Sequence, residues 1–325
     1  MNRRNVLKAL AATPFLGALP AAAQEANWPN RPIRLLLAYA PGGGTDNVAR
    51  VLAAKLQGLL GQPVIVENKP GAGGNLATET VVTAKPDGYT LLMGNQGPMT
   101  VNQSLFPNMR FDPLTTLDPI ALVADAPLVA VAGPGTKAKT IGELITEAKA
   151  KGEAFSYASA SNGSASHLAA ALMFQMAGAE AQHLPFRGAG PALNDVVAGH
   201  IPFMITTLPS VMGLIQGGSV RALAVTGEKR IEALPDVPTV AEAALPAYRA
   251  SAWYGILAPK GTPAAISTKL ANGIMSSLST PDVAKRLREE GAEPAQMGGP
   301  AFGGFMKEER ERWAKVIAAS NITVD

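Results

Sequence analysis

The strongest constraint on this chain is a cycle that recurs from Ile33 onward: a short apolar run, a loop of Gly, Ser, Asn and Thr, then a segment with helical apolar spacing. Strand-length runs alternating with helical periods predict an α/β fold, because each strand finds cover in the helix that follows. In the first cycle residues 33–40 read as a strand and Pro41-Gly42-Gly43-Gly44-Thr45-Asp46 as a loop. Val48, Leu52, Leu56, Leu59 and Leu60 then mark the apolar face of a helix that Gly61 stops. A strand at 64–66, a second glycine-rich loop at 70–74, a helix at 76–84, a Pro86-Asp87-Gly88 turn, a strand at 89–93 and a polar loop at 95–102 follow. A second series starts after the apolar run 120–132, with strands at 155–158, 203–206 and 220–226 and helices at 167–176, 192–198 and 210–216. Ser164 or Ser166 is placed to cap the 167–176 helix. Residues 253–258 read as one more extended run. The remainder reads as amphipathic helices carrying Ile266, Leu270, Ile274 and Leu278, then Phe305, Trp313, Val316 and Ile317.

A single core stops growing near 325 residues, so two lobes are expected. Taking the apolar runs at 120–132 and 253–258 as crossings gives a discontinuous first lobe, 27–124 plus 252–325, and a second lobe, 125–251.

The first 23 residues stand apart from this pattern. Arg3, Arg4 and Lys8 precede an apolar stretch ending in Ala21-Ala22-Ala23, which reads as an export signal cleaved after Ala23. Arg3-Arg4-Asn5-Val6-Leu7-Lys8 resembles the twin-arginine export motif. The stretch is broken by Pro14 and Pro20 and falls short of the roughly 20 apolar residues that span a bilayer, so no membrane anchor is expected. Losing the leader takes Lys+Arg from 28 to 28 minus 3, level with the 25 Asp+Glu. The mature chain is then formally neutral, and its composition gives no nucleic-acid footprint. With no cysteine, disulfides, thiolate nucleophiles, Cys-ligated zinc, iron–sulfur clusters and a lipidated N-terminal cysteine are excluded. A freely diffusing periplasmic protein is the expectation.

The chemistry available to the loops is narrow. The 42–46 and 161–166 loops each lie after a strand and before a helix, where unpaired N–H groups and the helix dipole favour a carboxylate. The same glycines also serve tight turns, and both readings stand. No Gly-x-x-x-x-Gly-Lys or Gly-x-Gly-x-x-Gly pattern supports a nucleotide, and His167, His183 and His200 sit in separate elements without metal-ligand spacing. No cofactor and no metal are expected. Gly-x-Ser-x-Gly and Ser-x-x-Lys are missing, and Ser164 with His167 reads as cap and packing rather than nucleophile and base. Asp46 is either a ligand contact or a helix cap, Arg187 either a carboxylate partner or solvated, and Trp253 either cleft wall or core. The mixed run 307–312 reads as a solvated helix face.

Several segments in this order resemble the Bug family of periplasmic solute receptors of tripartite tricarboxylate transporters. They are Trp28-Pro29-Asn30-Arg31-Pro32-Ile33, Pro41-Gly42-Gly43-Gly44-Thr45-Asp46, Val66-Glu67-Asn68-Lys69-Pro70-Gly71-Ala72-Gly73-Gly74-Asn75 and Pro86-Asp87-Gly88-Tyr89-Thr90-Leu91. Further on come Gly163-Ser164 with His167-Leu168, Pro185-Phe186-Arg187-Gly188, the run from Leu234 to Glu242, and Trp253-Tyr254-Gly255. The resemblance implies a two-lobed, Venus-flytrap α/β receptor, each lobe a mixed sheet flanked by helices. Such a receptor is no enzyme; it closes on a small organic carboxylate and presents it to integral-membrane permease subunits. It also implies the ligand loops, Gly43, Gly44, Thr45 and Asp46 from one lobe and Ser161, Asn162, Gly163, Ser164 and Ser166 from the other. Asn95, Gln96, Arg187, Thr206 and Thr207 complete the wall. Phe186 stands where the family usually has tyrosine, and Ile205-Thr206-Thr207 where many members carry an acidic residue or serine; the neutral wall suits a carboxylate without an ammonium group. A periplasmic α/β enzyme acting on small acids and a sensor presenting ligand to a receptor kinase are the competing readings.

Overall fold

A computed structural model describes residues 27–106, 108–289 and 291–319; the expected leader, its arginine pair and its cleavage point lie outside the described residues. Three parallel strands open the chain, β1 (Ile33–Leu37), β2 (Val64–Asn68) and β3 (Thr90–Asn95), in the order β2-β1-β3. Helices α1 (Gly44–Leu60) and α2 (Asn75–Val82) connect them. Val48, Leu52, Leu56 and Leu60 of α1 are buried as their spacing predicts. Gly61, at φ 71°, closes that helix by donating its N–H to the Gln57 carbonyl at 3.0 Å, a left-handed turn that suits glycine.

The organising element is β4 (Leu117–Ala132), whose sixteen residues serve two sets of strands. Its first part, up to Pro127, pairs antiparallel with β9 (Ser251–Pro259), and its last part, from Leu128, pairs with β7 (Phe203–Thr207) and β8 (Arg221–Val225). The partner change falls at Pro127, which has no N–H to give to a ladder. β9 also pairs antiparallel with β3, while β5 (Ser156–Ser159) and β6 (Gln182–Pro185) extend the second set parallel to β7. The result is a two-lobed α/β molecule with a mixed sheet in each lobe. The second lobe carries α3 (Ile141–Lys151), α4 (Ala165–Ala177), α5 (Ala189–Val197) and α6 (Leu208–Gln216). The first is completed by α7 (Ala264–Leu278), α8 (Pro281–Glu289), β10 (Glu293–Gly298) and α9 (Gly299–Ala319).

β4 and the stretch that enters β9 are tied together by Thr226, which is fully buried. Its hydroxyl accepts from the Leu128 N–H at 2.8 Å and donates to the Ala250 carbonyl at 2.7 Å. Its backbone adds Thr226 N–H to Leu128 O at 2.9 Å and Ala250 N–H to Thr226 O at 3.0 Å.

Several expectations change. Residues 97–101 form a buried π-turn leading into a one-turn helix, Asn102–Leu105, where a polar loop was expected. The reason is tertiary: Val101 and Leu105 pack with Leu168, Trp313 and Ile317. The 307–312 run is not uniformly solvated either. Glu309 is buried and accepts from Trp313 Nε1 at 2.9 Å, and Arg310 pairs with Asp112. Trp253 is core, edge-on to Phe302 at 5.5 Å. Among the described residues no helix is long and apolar enough to cross a membrane.

Candidate functional site

The loop after β1 ends in a helix start. Gly42 makes the turn at φ 82°, Gly43 is the N-cap of α1 in extended conformation, and Gly44 begins the helix. A helix offers no acceptor to its first amides. Here the Gly44 N–H donates to Ser210 Oγ at 2.8 Å, across from the second lobe, which leaves the Thr45 and Asp46 amides unsupplied by α1. Nothing larger than glycine fits at position 44, since a Cβ would lie 2.4 Å from Thr207 Oγ1 and 2.5 Å from Tyr254 Oη.

The Asp46 side chain turns away from the cleft. Its oxygens accept from Gly42 N–H at 3.2 Å, Arg50 Nε at 3.0 Å and Asn68 Nδ2 at 3.1 Å. Burial pushes its carboxyl up, but the bonds from Arg50, Gly42 and Asn68 outweigh that and hold it below its ordinary value. Asp46 therefore buttresses the loop.

In the second lobe the loop after β5 is fastened in the same manner. Ser164 is the N-cap of α4: its Oγ accepts from the His167 N–H at 3.2 Å and donates to the Ser161 carbonyl at 2.7 Å. Ser166 Oγ donates to the Ile205 carbonyl. Gly163, at φ 71°, donates its N–H to His167 Nδ1 at 3.1 Å, so that nitrogen carries a lone pair and the proton is on Nε2. The His167 ring stacks on His183, centroids 3.7 Å apart and 4° from parallel, and His183 Nε2 lies 2.6 Å from Ser159 Oγ. Burial lowers both imidazoles, His167 to about 4 and His183, further depressed by His167, to about 3. Two neutral, stacked histidines thus floor the second loop.

Between the lobes lies a cavity of ≈ 50 Å³. Of the residues named from sequence, Gly43, Gly44, Thr45, Asn95, Gln96, Ser164, Ser166, Thr206 and Thr207 line it. Asp46, Ser161, Asn162, Gly163 and Arg187 do not; Ser161, Asn162 and Arg187 line a neighbouring cavity instead. The Gln96 amide, although at the wall, is engaged behind it, with Nε2 donating to Ser251 O at 3.0 Å and Oε1 sharing with Glu309 the single N–H of Trp313 Nε1. Asn95 Nδ2 donates weakly to Thr45 Oγ1 at 3.4 Å, and its Oδ1 accepts from Tyr39 at 3.3 Å. Sequence reasoning missed Tyr39, Ser210 and Tyr254, which supply three more hydroxyls. Tyr254 was in view as part of the Trp253-Tyr254-Gly255 motif. In β9 successive side chains face opposite ways, so a core Trp253 aims Tyr254 at the cleft.

Among the described residues no Lys, Arg, His, Asp or Glu lines the cavity. What faces it is the starts of α1 and α4, with Ala189 of α5 and Thr207 at the cap of α6. The amides of Ala165 and Ser166, like those of Thr45 and Asp46, lack acceptors in their own helices. Helix N-termini aimed at one enclosed volume hold an anion with partial charges and hydrogen bonds alone. Among the described residues no group of three or more His, Asp or Glu side chains is placed to hold a metal ion.

A family described as "Tripartite tricarboxylate transporter family receptor" matches residues 48–322. Protein BugT of Bordetella pertussis is 36% identical over 318 residues, covering 98% of each chain. Among solved structures, Rpa4515 of R. palustris with adipate is 32% identical, with a TM-score of 0.89 over 91% of this chain and 99% of that one. MatC from Rhodopseudomonas palustris with bound malate is 33% identical, with a TM-score of 0.85 over 89% and 100% of the two chains.

Proposed function

The chain belongs to the tripartite tricarboxylate transporter receptor family, and from that premise we propose that it encloses a small organic carboxylate between its lobes in the periplasm and hands it to the membrane subunits of such a transporter. It is a solute-binding receptor and not an enzyme. The observation that carries the ligand class is the meeting of α1 and α4 N-termini, one from each lobe, at a cavity without a charged side chain. Relatives with adipate and with malate agree with that chemistry.

The mechanism follows from the contacts. The lobes, taken as 27–124 plus 252–325 and 125–251, touch through Gly44 N–H to Ser210 Oγ, Asn47 Nδ2 to Pro209 O at 3.0 Å and Ala40 N–H to Arg187 O at 3.2 Å. The cavity between them is about a third of the roughly 150 Å³ that holds benzene. A ligand the size of a dicarboxylate therefore enters with the lobes apart, and contacts made to both lobes draw them together. Export by the twin-arginine route with cleavage after Ala23 would deliver the chain to that compartment.

The test is thermal unfolding of residues 24–325 with mono-, di- and tricarboxylates, amino acids and nicotinate. Ligand at 100 times its Kd adds about 2.7 kcal/mol, roughly several degrees in midpoint. A shift confined to carboxylates is the expected result; no shift with any carboxylate at millimolar concentration overturns the reading.

A further inference from the structure

The ligand cleft is nearly shut, with ≈ 50 Å³ left inside, but on the other face of β4 and β9 the lobes stand apart. A groove of ≈ 690 Å³ runs there, between residues 227–233 on the second lobe and Arg288, Glu293 and Arg312 on the first. The strands themselves divide the two spaces. Pro127 of β4 and Ser251 of β9 are register partners and both line the groove, while the next residue on each strand, Leu128 or Ala252, lines the ligand cavity. Successive side chains of a strand point to opposite faces, so groove and cavity lie on opposite sides of the strands that join the lobes.

The walls of the groove are free to move. Among the described residues its ion pairs each stay within one lobe: Arg249 with Glu228 and Arg230 with Glu242 in the second, Arg288 with Glu293 and Arg312 with Glu309 in the first. Narrowing it therefore breaks no pair. A bond that does cross, Arg312 Nη2 to the Arg249 carbonyl at 3.1 Å, sits two residues before β9 begins, where a rotation about that strand moves atoms least. Any rotation about β4 and β9 that opens the cleft must bring the groove walls together.

We propose that this groove is a counter-site to the ligand cleft: holding its walls apart favours the closed, ligand-holding form, and drawing them together favours the open form, with no contact to the ligand. Apparent affinity then scales with the fraction of molecules the groove leaves free to close. The inference rests on the lobe closure described under the proposed function and not on the ligand's identity.

Glu232 and Arg288 are both exposed, stand on opposite walls, and also line an adjoining cavity of ≈ 580 Å³ between α6 and α8. The chain has no cysteine, so Glu232→Cys with Arg288→Cys introduces a single possible disulfide. That bond would hold the two Cα atoms within about 7 Å and narrow the groove. The experiment is small-angle scattering of ligand-free residues 24–325 carrying this pair, as the isolated monomer, oxidised and then reduced. Oxidation is expected to raise the radius of gyration and reduction to reverse it, which also shows that the variant folds. The oxidised pair should bind adipate or malate about tenfold or more weakly than the reduced pair. Glu232→Trp, which sets a ring between the walls, should leave the ligand-free molecule no larger than wild type. A pair that will not oxidise, an oxidised form no larger than the reduced one, or a Glu232→Trp variant that expands overturns the counter-site. Because the scattering needs no ligand, its failure is distinct from failure of the carboxylate reading, which the thermal melts decide.

Discussion

Thr226→Val removes one oxygen and little else, and the structure says what that oxygen does. In the native chain the hydroxyl accepts from the Leu128 N–H in β4 and donates to the carbonyl of Ala250, the residue just before β9, and both residues are buried. Valine has nearly the same shape, so packing is kept while two buried polar groups lose their partner. Each such orphan costs about 1–3 kcal/mol, and partial relaxation brings the expected loss to about 2–4 kcal/mol. The backbone bonds between Thr226, Leu128 and Ala250 remain, so the crossing should loosen rather than unfold. Urea denaturation of the ligand-free protein measures the loss, and a midpoint lower by roughly 4–10 °C accompanies it. Small-angle scattering checks whether the loosened hinge also widens the ligand-free molecule. A change within about 0.5 kcal/mol would refute the argument that this hydroxyl ties β4 to the stretch entering β9.

Two further outcomes follow from the site. Gly44→Ala places a Cβ where Thr207 and Tyr254 already stand; closure should be blocked and ligand Kd weakened roughly tenfold or more, with little change in ligand-free stability, as read by calorimetry beside a melt. Stability should also depend on the stacked histidines: folding lowers both from 6.5, to about 4 and about 3, so the unfolded chain binds more protons in that interval. Their contribution is full above pH 6.5 and is lost as pH falls through the folded values, on the order of a few kcal/mol by pH 4. His183→Phe should flatten that slope in urea melts taken between pH 4 and 7, and an unchanged slope would assign the acid loss to other groups.

The repeating cycle made the first half of the fold legible, because β1, α1 and β3 owe their form to local periodicity and to glycine stops such as Gly61. The strands that escaped notice obey another logic. β10 carries Pro294 and Gly298 and, among the described strands, pairs with β4, while β6 is four residues with no apolar alternation; both exist because a partner strand is waiting. The same division runs through the site. Gly43, Gly44 and Ser164 were readable because strand–loop–helix order alone places helix starts there. Tyr39 and Ser210 were not, since only the approach of distant segments gives them a shared cavity. Asp46 was readable as a residue of the loop but not in its direction, which Arg50 and Asn68 set.

β9 has a consequence for how the molecule is made. It lies between β3 and β4 at the centre of the first sheet, yet it is synthesised only after residues 96–250. Until then the apolar edges of β3 and of the first part of β4 are unpaired, and the three parallel strands at the start of the chain wait on a partner from the far end. The inner segment can close its own sheet first, so the ordinary vectorial order, with the N-terminal unit finished before the next begins, is reversed. A chain that stops short of Ser251 would carry a complete set of second-lobe strands beside a sheet with its middle missing, so premature termination leaves sticky edges rather than a smaller working receptor.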